Sequence, residues 1–313
     1  MLGKTASGLF WMFRYLERSE NTARLVEAGF RMSLTRTSSN ETEWASIVTT
    51  AGCSQAYGEQ YESYETGQVA DFLLRDPGNP SSVMSSIETA RNNARMVRTA
   101  LTREVWEAMN GAWLVLKQVL EKPVPAASLP SVLASIRQQG ALVRAALHGT
   151  MLRNDIFRFC RLGSFVERAD NMARILDVKY YVLLPSTSYI GSSLDNVQWE
   201  TILRSASAER AFNWIHGGET TPQDIADFLI LDRQMPRSLI YCVEKYTHNL
   251  RALCPDAEAS KPSQVMAETM MTRLSGQTIE QVFQTGLHEF LVDFRESNDA
   301  LAAQIEIDFR FYE

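Results

Sequence analysis

Two stretches of this chain carry the same pattern of charges at the same spacing. Near the start stand Glu17, Arg18, Glu20, Asn21 and Arg24; half a chain later stand Glu167, Arg168, Asp170, Asn171 and Arg174. On a helix, the spacing of three and four residues places Glu17, Glu20, Asn21 and Arg24 on one stripe about 10 Å long, and the second set on another. The apolar face of the second copy is Leu162, Phe165, Val166, Ala169, Met172, Ala173 and Leu176, which predicts that Arg18 and Arg168 point nearly opposite it.

Three kinds of chemistry suit such a stripe. Solvated, it makes local Glu-to-Arg pairs worth about 0.2–0.5 kcal/mol each. Packed against a polar stripe on another helix, it makes buried pairs that fix register, and breaking one costs roughly 3–5 kcal/mol. As a site, Glu17 and Glu167 meeting at a pseudo-two-fold axis would share a proton or a cation, whereas the neighbouring arginines would suit a carboxylate or phosphate anion. The residues leave cation and anion open, and the buried-pair reading is preferred. The expected facing cations are Arg91, Arg95 and Arg98, at i, i+4 and i+7 on one helix, with Arg251 as counterpart. Arg103 and Asn110 flank Trp106 and could join them.

Other catalytic templates fail. None of His148, His216, His248 or His288 follows a glutamate by three residues, as di-metal bundles require. Glu244 and His248 form one i, i+4 pair, which local packing explains. There is no phosphate loop, dinucleotide fingerprint, His-Glu-x-x-His or nucleophile elbow. No metal and no cofactor is expected, and an enzyme is the less favoured class. The six tryptophans read as core rather than as a binding platform.

The elements that carry the stripes repeat as well. Trp44, Ile47 and Val48 return as Trp199, Ile202 and Leu203; Asp71-Phe72-Leu73, Asp76, Pro80 and Ser82 return as Asp227-Phe228-Leu229, Asp232, Pro236 and Ser238. Glu88, Asn93 and Arg95 return as Glu244, Asn249 and Arg251. This order predicts a tandem duplication, residues 1–150 and 151–313, with the halves expected to form one compact unit. Past Arg98 and Arg251 the match fades.

Periodicity predicts an all-α array of antiparallel helices. The first helix is expected from a Thr5 cap at Ala6 to Thr35, and a short one after Asn40 or Thr42. Gly52 to Gly67 reads as an irregular connection. A helix after an Asn79 cap would start at Pro80, and others would span Leu101–Glu121 and Ser131–Leu147. A long helix would run to Leu184, followed by a loop to Ser193. The stripe from Ile279 through Gly286 to Ile305 predicts one long helix. The alternation of Ile305, Ile307, Phe309 and Phe311 also fits a strand, but helix is preferred because a lone strand has no partner.

Composition narrows the class. Hydrophobic content of 45% suits a globular core, and a net charge of -6 argues against general nucleic-acid binding. Acidic residues from Glu280 to Glu313 predict a solvated face on the last helix, with a docking surface for a basic partner as the lesser reading. Cys53, Cys160, Cys242 and Cys254 have no paired spacing, which suits reduced thiols and a cytoplasmic location. Neither a signal-peptide core nor an apolar stretch of membrane-spanning length is present, so no membrane partner is expected.

Several blocks together resemble the bacterial alpha-E domain family, named for its helices and their Glu-Arg motif. They are Thr5-Ala6, Leu9-Phe10-Trp11, Arg14-Tyr15-Leu16-Glu17-Arg18, Asn21, Ala23-Arg24, Asn79-Pro80-Ser81-Ser82, Arg91-Asn92-Asn93-Ala94-Arg95, Arg98, Glu104-Val105-Trp106 and Asn110. Met151, Arg153, Phe157 and Phe165 through Asn171 fit too. Asn92 departs from the glutamate expected there, which weakens any carboxylate role at that position. The resemblance implies an operon with a circularly permuted ATP-grasp ligase, a transglutaminase-like peptidase and sometimes a proteasome-like peptidase; some members look fused to the ligase. The expected function is therefore a helical accessory or scaffold protein working with that amide ligase in peptide or amide-bond synthesis. The alternative is an enzyme or substrate-binding subunit of the same pathway, with the Glu-Arg stripes as its pocket.

Overall fold

The structure is a computed structural model that describes residues 1–34, 41–183, 193–217, 221–255 and 260–312. Among these residues the chain is helical and contains no strand. Two long helices, α1 (Gly3–Ser33) and α8 (Asp155–Leu183), occupy the centre. Between them run α2 (Glu41–Thr50), α3 (Ser54–Gly58), α4 (Thr66–Leu74), α5 (Val83–Met96), α6 (Arg103–Val119) and α7 (Leu129–Thr150). After α8 come α9 (Ser193–Ser205), α10 (Glu209–His216), α11 (Pro222–Ile230), α12 (Leu239–Leu253), α13 (Pro262–Ser275), α14 (Ile279–Thr285) and α15 (Leu287–Asp308).

The central pair explains why neither stripe is solvated. A surface helix buries one face, but α1 buries residues all round its circumference: Leu9, Phe13 and Leu16, and also Glu17, Glu20, Asn21 and Arg24. Polar side chains there need partners, because an unpaired buried polar group costs roughly 1–3 kcal/mol. Helices α1 and α8 run side by side in the same sense, with Gly163 against Phe10 and Arg14, and Glu167 against Arg14 and Arg18. Gly163 is what permits the approach: a Cβ there would stand 2.0 Å from the Phe10 carbonyl oxygen.

The outer helices pack on this pair in matching fashion. Helix α5 lies on α1 and α12 on α8; α7 lies on α1 and α15 on α8; α2 crosses to α8 and α9 crosses to α1. Buried apolar side chains from both halves, among them Leu16, Trp44, Phe72, Phe165, Trp199 and Phe228, form one continuous cluster.

Local chemistry moved several boundaries. Helix α5 starts at Val83 because the Ser82 hydroxyl accepts the Ser85 N–H; Asn79 instead accepts the Ser81 N–H and donates to the Phe72 carbonyl. Ser238 caps α12 in the same way, accepting from Tyr241. Helix α7 is longer than expected at both ends, and α3 and α13 occupy stretches where no helix was expected. The single helix expected after Thr278 is two, divided at Gly286, whose φ of 102° belongs to the region that favours glycine. The tail remains helical to Asp308. Asn40 and most of the loop before Ser193 lie outside the described residues. Trp44 and Trp199 are core, but Trp214 is 84% exposed on α10, contrary to expectation. All four cysteines are free thiols. No helix among the described residues is long and apolar enough to cross a membrane.

Candidate functional site

The two Glu-Arg motifs meet and exchange partners. Arg18 grips Glu167, with Nε donating to Oε1 at 2.6 Å and Nη2 donating to Oε2 at 2.9 Å. Arg168 grips Glu17 in the same bidentate way, at 2.8 and 2.9 Å. Arg18 and Arg168 therefore turn inward to the interface between α1 and α8, not away from the apolar face as helical projection predicts. Glu17 and Glu167 each take the other motif's arginine.

Further pairs repeat on both sides. Arg24 donates to Glu20 at 2.8 Å and to the Ser205 carbonyl at the end of α9; Arg174 donates to Asp170 at 2.7 Å and to the Thr50 carbonyl at the end of α2. Each of those carbonyls precedes a positive-φ residue, Ser207 in one turn and Gly52 in the other. From α7, Arg144 reaches Glu20 at 2.5 Å, and from α15 Arg295 stands 3.6 Å from Asp170. Arg137 of α7 pairs with Glu27, as His288 of α15 pairs with Asp177 at 2.6 Å.

At two further positions an arginine stands on one side only. Arg237 donates to Glu17 at 3.1 Å and to Glu20 at 2.8 Å; its counterpart in the repeated Asp-Pro-Ser block is Ser81. Conversely Arg14 donates to Glu167 at 2.8 Å, where the corresponding residue of α8 is Ser164.

Where Ser81 stands in place of an arginine there is a cavity of about 230 Å³. Arg18, Asn21, Thr22, Glu167, Asp170, Asn171 and Arg174 line it, with Leu25, Leu73, Ala51 and Gly52. Asn21 is 2% exposed, yet neither its amide nitrogen nor its amide oxygen has a hydrogen-bond partner; Oδ1 of Asp170 has none either.

The electrostatics are those of locked ions. Burial pushes the Glu17 carboxyl up, but Arg168, Arg237 and Arg144 outweigh it and hold the group well below the usual carboxylate range. Glu20 is likewise lowered, burial and Glu17 being overcome by Arg237, Arg144 and Arg24. Glu167 is lowered against its burial by Arg18 and Arg14. The guanidinium groups outnumber the carboxylates they meet. Burial and the crowding of Arg24 and Arg168 press Arg237 down to about 10, and burial with Arg168 presses Arg161 down to about 10.

Of the residues singled out in the sequence, the structure brings together Glu17, Arg18, Glu20, Asn21, Arg24, Glu167, Arg168, Asp170, Asn171 and Arg174. It does not bring Arg91, Arg95 and Arg98 to them. Arg91 donates to Asn110 and lies over Trp113; Arg98 lies over Trp106; Arg95 is exposed. Arg251 pairs with Glu268 at the surface. The facing cations are Arg14, Arg144 and Arg237, which sequence reasoning missed. A signal for Arg237 existed: it stands between Pro236 and Ser238, which match Pro80 and Ser82, where the first half has Ser81. Arg144 had none, because the sequence of α7 shows no match to that of α15.

Uncharacterized proteins of Mycobacterium bovis and Mycobacterium tuberculosis are 24% identical to this chain over 313 residues, which takes in 93% of it and 34% of theirs. The chain thus spans about a third of the length of these curated relatives. No solved structure matches it. The Alpha-E family model, a predicted alpha-helical domain with a conserved ER motif, matches residues 1–309. The Glu17-Arg18 and Glu167-Arg168 pairs thus belong to a member of the Alpha-E family.

Proposed function

We propose that this domain is a non-catalytic helical accessory module that works with a circularly permuted ATP-grasp amide ligase in peptide or amide-bond synthesis. In this reading the Glu-Arg motifs hold the module together, and the matching contacts on α1 and α8 are the trace of a tandem duplication. The observation that carries the non-catalytic part is the reciprocal exchange of bidentate pairs. A general acid or base works best with a pKa near the operating pH, and Glu17, Glu20 and Glu167 are held in the opposite direction. The ligase partnership rests on the family resemblance. The length of the mycobacterial relatives, which continue far beyond the matched region, supports a module that acts beside other domains.

Native mass spectrometry of the purified protein, alone and mixed with an ATP-grasp ligase encoded beside it, tests the reading. A stoichiometric complex is expected. Absence of any complex, together with turnover of an amide-forming substrate by the domain alone, would overturn it. The second reading, a substrate-binding subunit, is favoured by one observation, the polar cavity beside Ser81.

A further inference from the structure

We infer that the cavity between α1, α8, α2 and the start of α5 is a binding site for a small carboxylate that also carries an amide group. The inference stands whether or not a ligase is the partner, because it rests on the cavity alone.

The first consideration is volume. On the Glu17 side the Arg237 side chain occupies the space between Glu17 and Glu20. On the Glu167 side the corresponding residue is Ser81, and about 230 Å³ stays open. The second is charge. The missing arginine is replaced electrostatically by Arg14, which already donates to Glu167. Glu167 thus has Arg14 and Arg18, and Asp170 has Arg174 with Arg295 nearby. Arg14, Arg18, Arg174 and Arg295 face Glu167, Asp170 and, 3.9 Å from Arg14, Asp299, so a further cation would enter a region with one positive charge in excess, which an anion would balance.

The third is directional. Arg18 spends Nε and Nη2 on Glu167, and Arg174 spends Nε and Nη1 on Asp170 and Thr50. The remaining terminal nitrogens, Nη1 of Arg18 and Nη2 of Arg174, take part in none of these bonds, and both side chains line the cavity. Guanidinium edges of this kind bind carboxylate oxygens. Asn21 supplies the other half. Its amide presents a buried donor nitrogen and a buried acceptor oxygen, both unpartnered. The group that satisfies both at once is another amide, whose carbonyl accepts and whose N–H donates. A carboxylate next to an amide is the chemistry of a peptide C-terminus or an acylated amino acid. Leu25 and Leu73 provide an apolar wall for its carbon skeleton.

Isothermal titration calorimetry at fixed ionic strength, with N-acetylglycine as the probe, tests this. Acetate, acetamide and inorganic phosphate serve as comparators. N-acetylglycine is expected to bind about tenfold or more tighter than acetate or acetamide, the factor one satisfied buried polar group supplies. Asn21→Leu removes an unpartnered polar side chain, so the ligand-free melting temperature should hold or rise while binding is lost. Ala51→Phe, from the half-exposed rim, should block binding by filling the space. No binding at millimolar N-acetylglycine would overturn the inference. So would phosphate binding as tightly as N-acetylglycine, or Asn21→Leu melting lower while binding persists.

Discussion

Around Glu17 the polar network is closed, and around Glu167 it opens on a cavity. Both carboxylates sit on a central helix, both take a bidentate arginine from the other motif, and both have an acidic neighbour three residues on. The difference lies one layer out. Arg237 and Arg144 seal the first side from α12's leading turn and from α7. Ser81 and a more distant Arg295 leave the second side roomy. The lesson is that one motif serves two purposes according to what the neighbouring helices supply. Saturated, it is a register lock; short of one side chain, it becomes the wall of a pocket.

The largest expected effect comes from breaking the closed side. Glu17→Ala leaves Arg168 and Arg237 buried without their common carboxylate, and is expected to cost roughly 3–5 kcal/mol of stability, read from denaturant unfolding. A loss under about 1 kcal/mol would mean that the network is solvated in practice.

Exchanging the distinguishing residues comes next. Arg237→Ser opens the Glu17 side and should destabilise by roughly 2–4 kcal/mol, since two buried carboxylates lose a donor and a void appears. Ser81→Arg fills the open side but adds a cation where cations are in excess. It should change stability by about 1 kcal/mol or less, the gain in packing offsetting the repulsion. Equal and opposite effects would show that charge, not space, separates the two sides.

A smaller effect separates the paired contacts further out. His288→Ala should cost more than Arg137→Ala, each by about 1 kcal/mol or less in thermal unfolding, because His288 pairs with buried Asp177, whereas Arg137 and Glu27 are both part-exposed and Glu27 keeps Arg31. If Arg137→Ala is the more costly, the pair with Glu27 is the stronger of the two.

The pH dependence sharpens the comparison without a new side chain. Glu17, Glu20 and Glu167 have folded-state pKa values below the ordinary value of 4.5. Their stabilisation is therefore complete above about pH 4.5 and lost progressively as pH falls below it. Melting temperature should drop steeply under acid. Glu17→Gln should start lower at pH 7 and fall less, because one titrating group is gone; parallel curves for the two proteins would refute the assignment.

Much of this was legible in the sequence. Most of the helices, though not α3 or α13, followed from apolar periodicity, and the ten residues of the repeated stripes were found because both acid and base types recur at helical spacing. What escaped has specific causes. Arg18 and Arg168 were placed on the wrong side because an isolated helix wheel assumes one buried face, whereas α1 and α8 are buried all round. Arg91 and Arg98 were expected to face the carboxylates, but Trp113 and Trp106 hold them over the indole rings of α6. The break at Gly286 was hidden because the apolar stripe continues through it.

By itself the sequence determined that the chain is all-helical and that two copies of a charged stripe lie on its two long helices, and it favoured burial of those stripes over an ordinary surface. Periodicity and spacing are local properties, and they survive in one dimension. Which cation meets which carboxylate was decided only by the tertiary structure, through helices far apart in the chain: Arg144 on α7, Arg237 before α12, Arg14 across the central interface. The cavity belongs to the same class, since it exists where a serine stands in one half and an arginine in the other, and its volume is set by the packing of four elements around them.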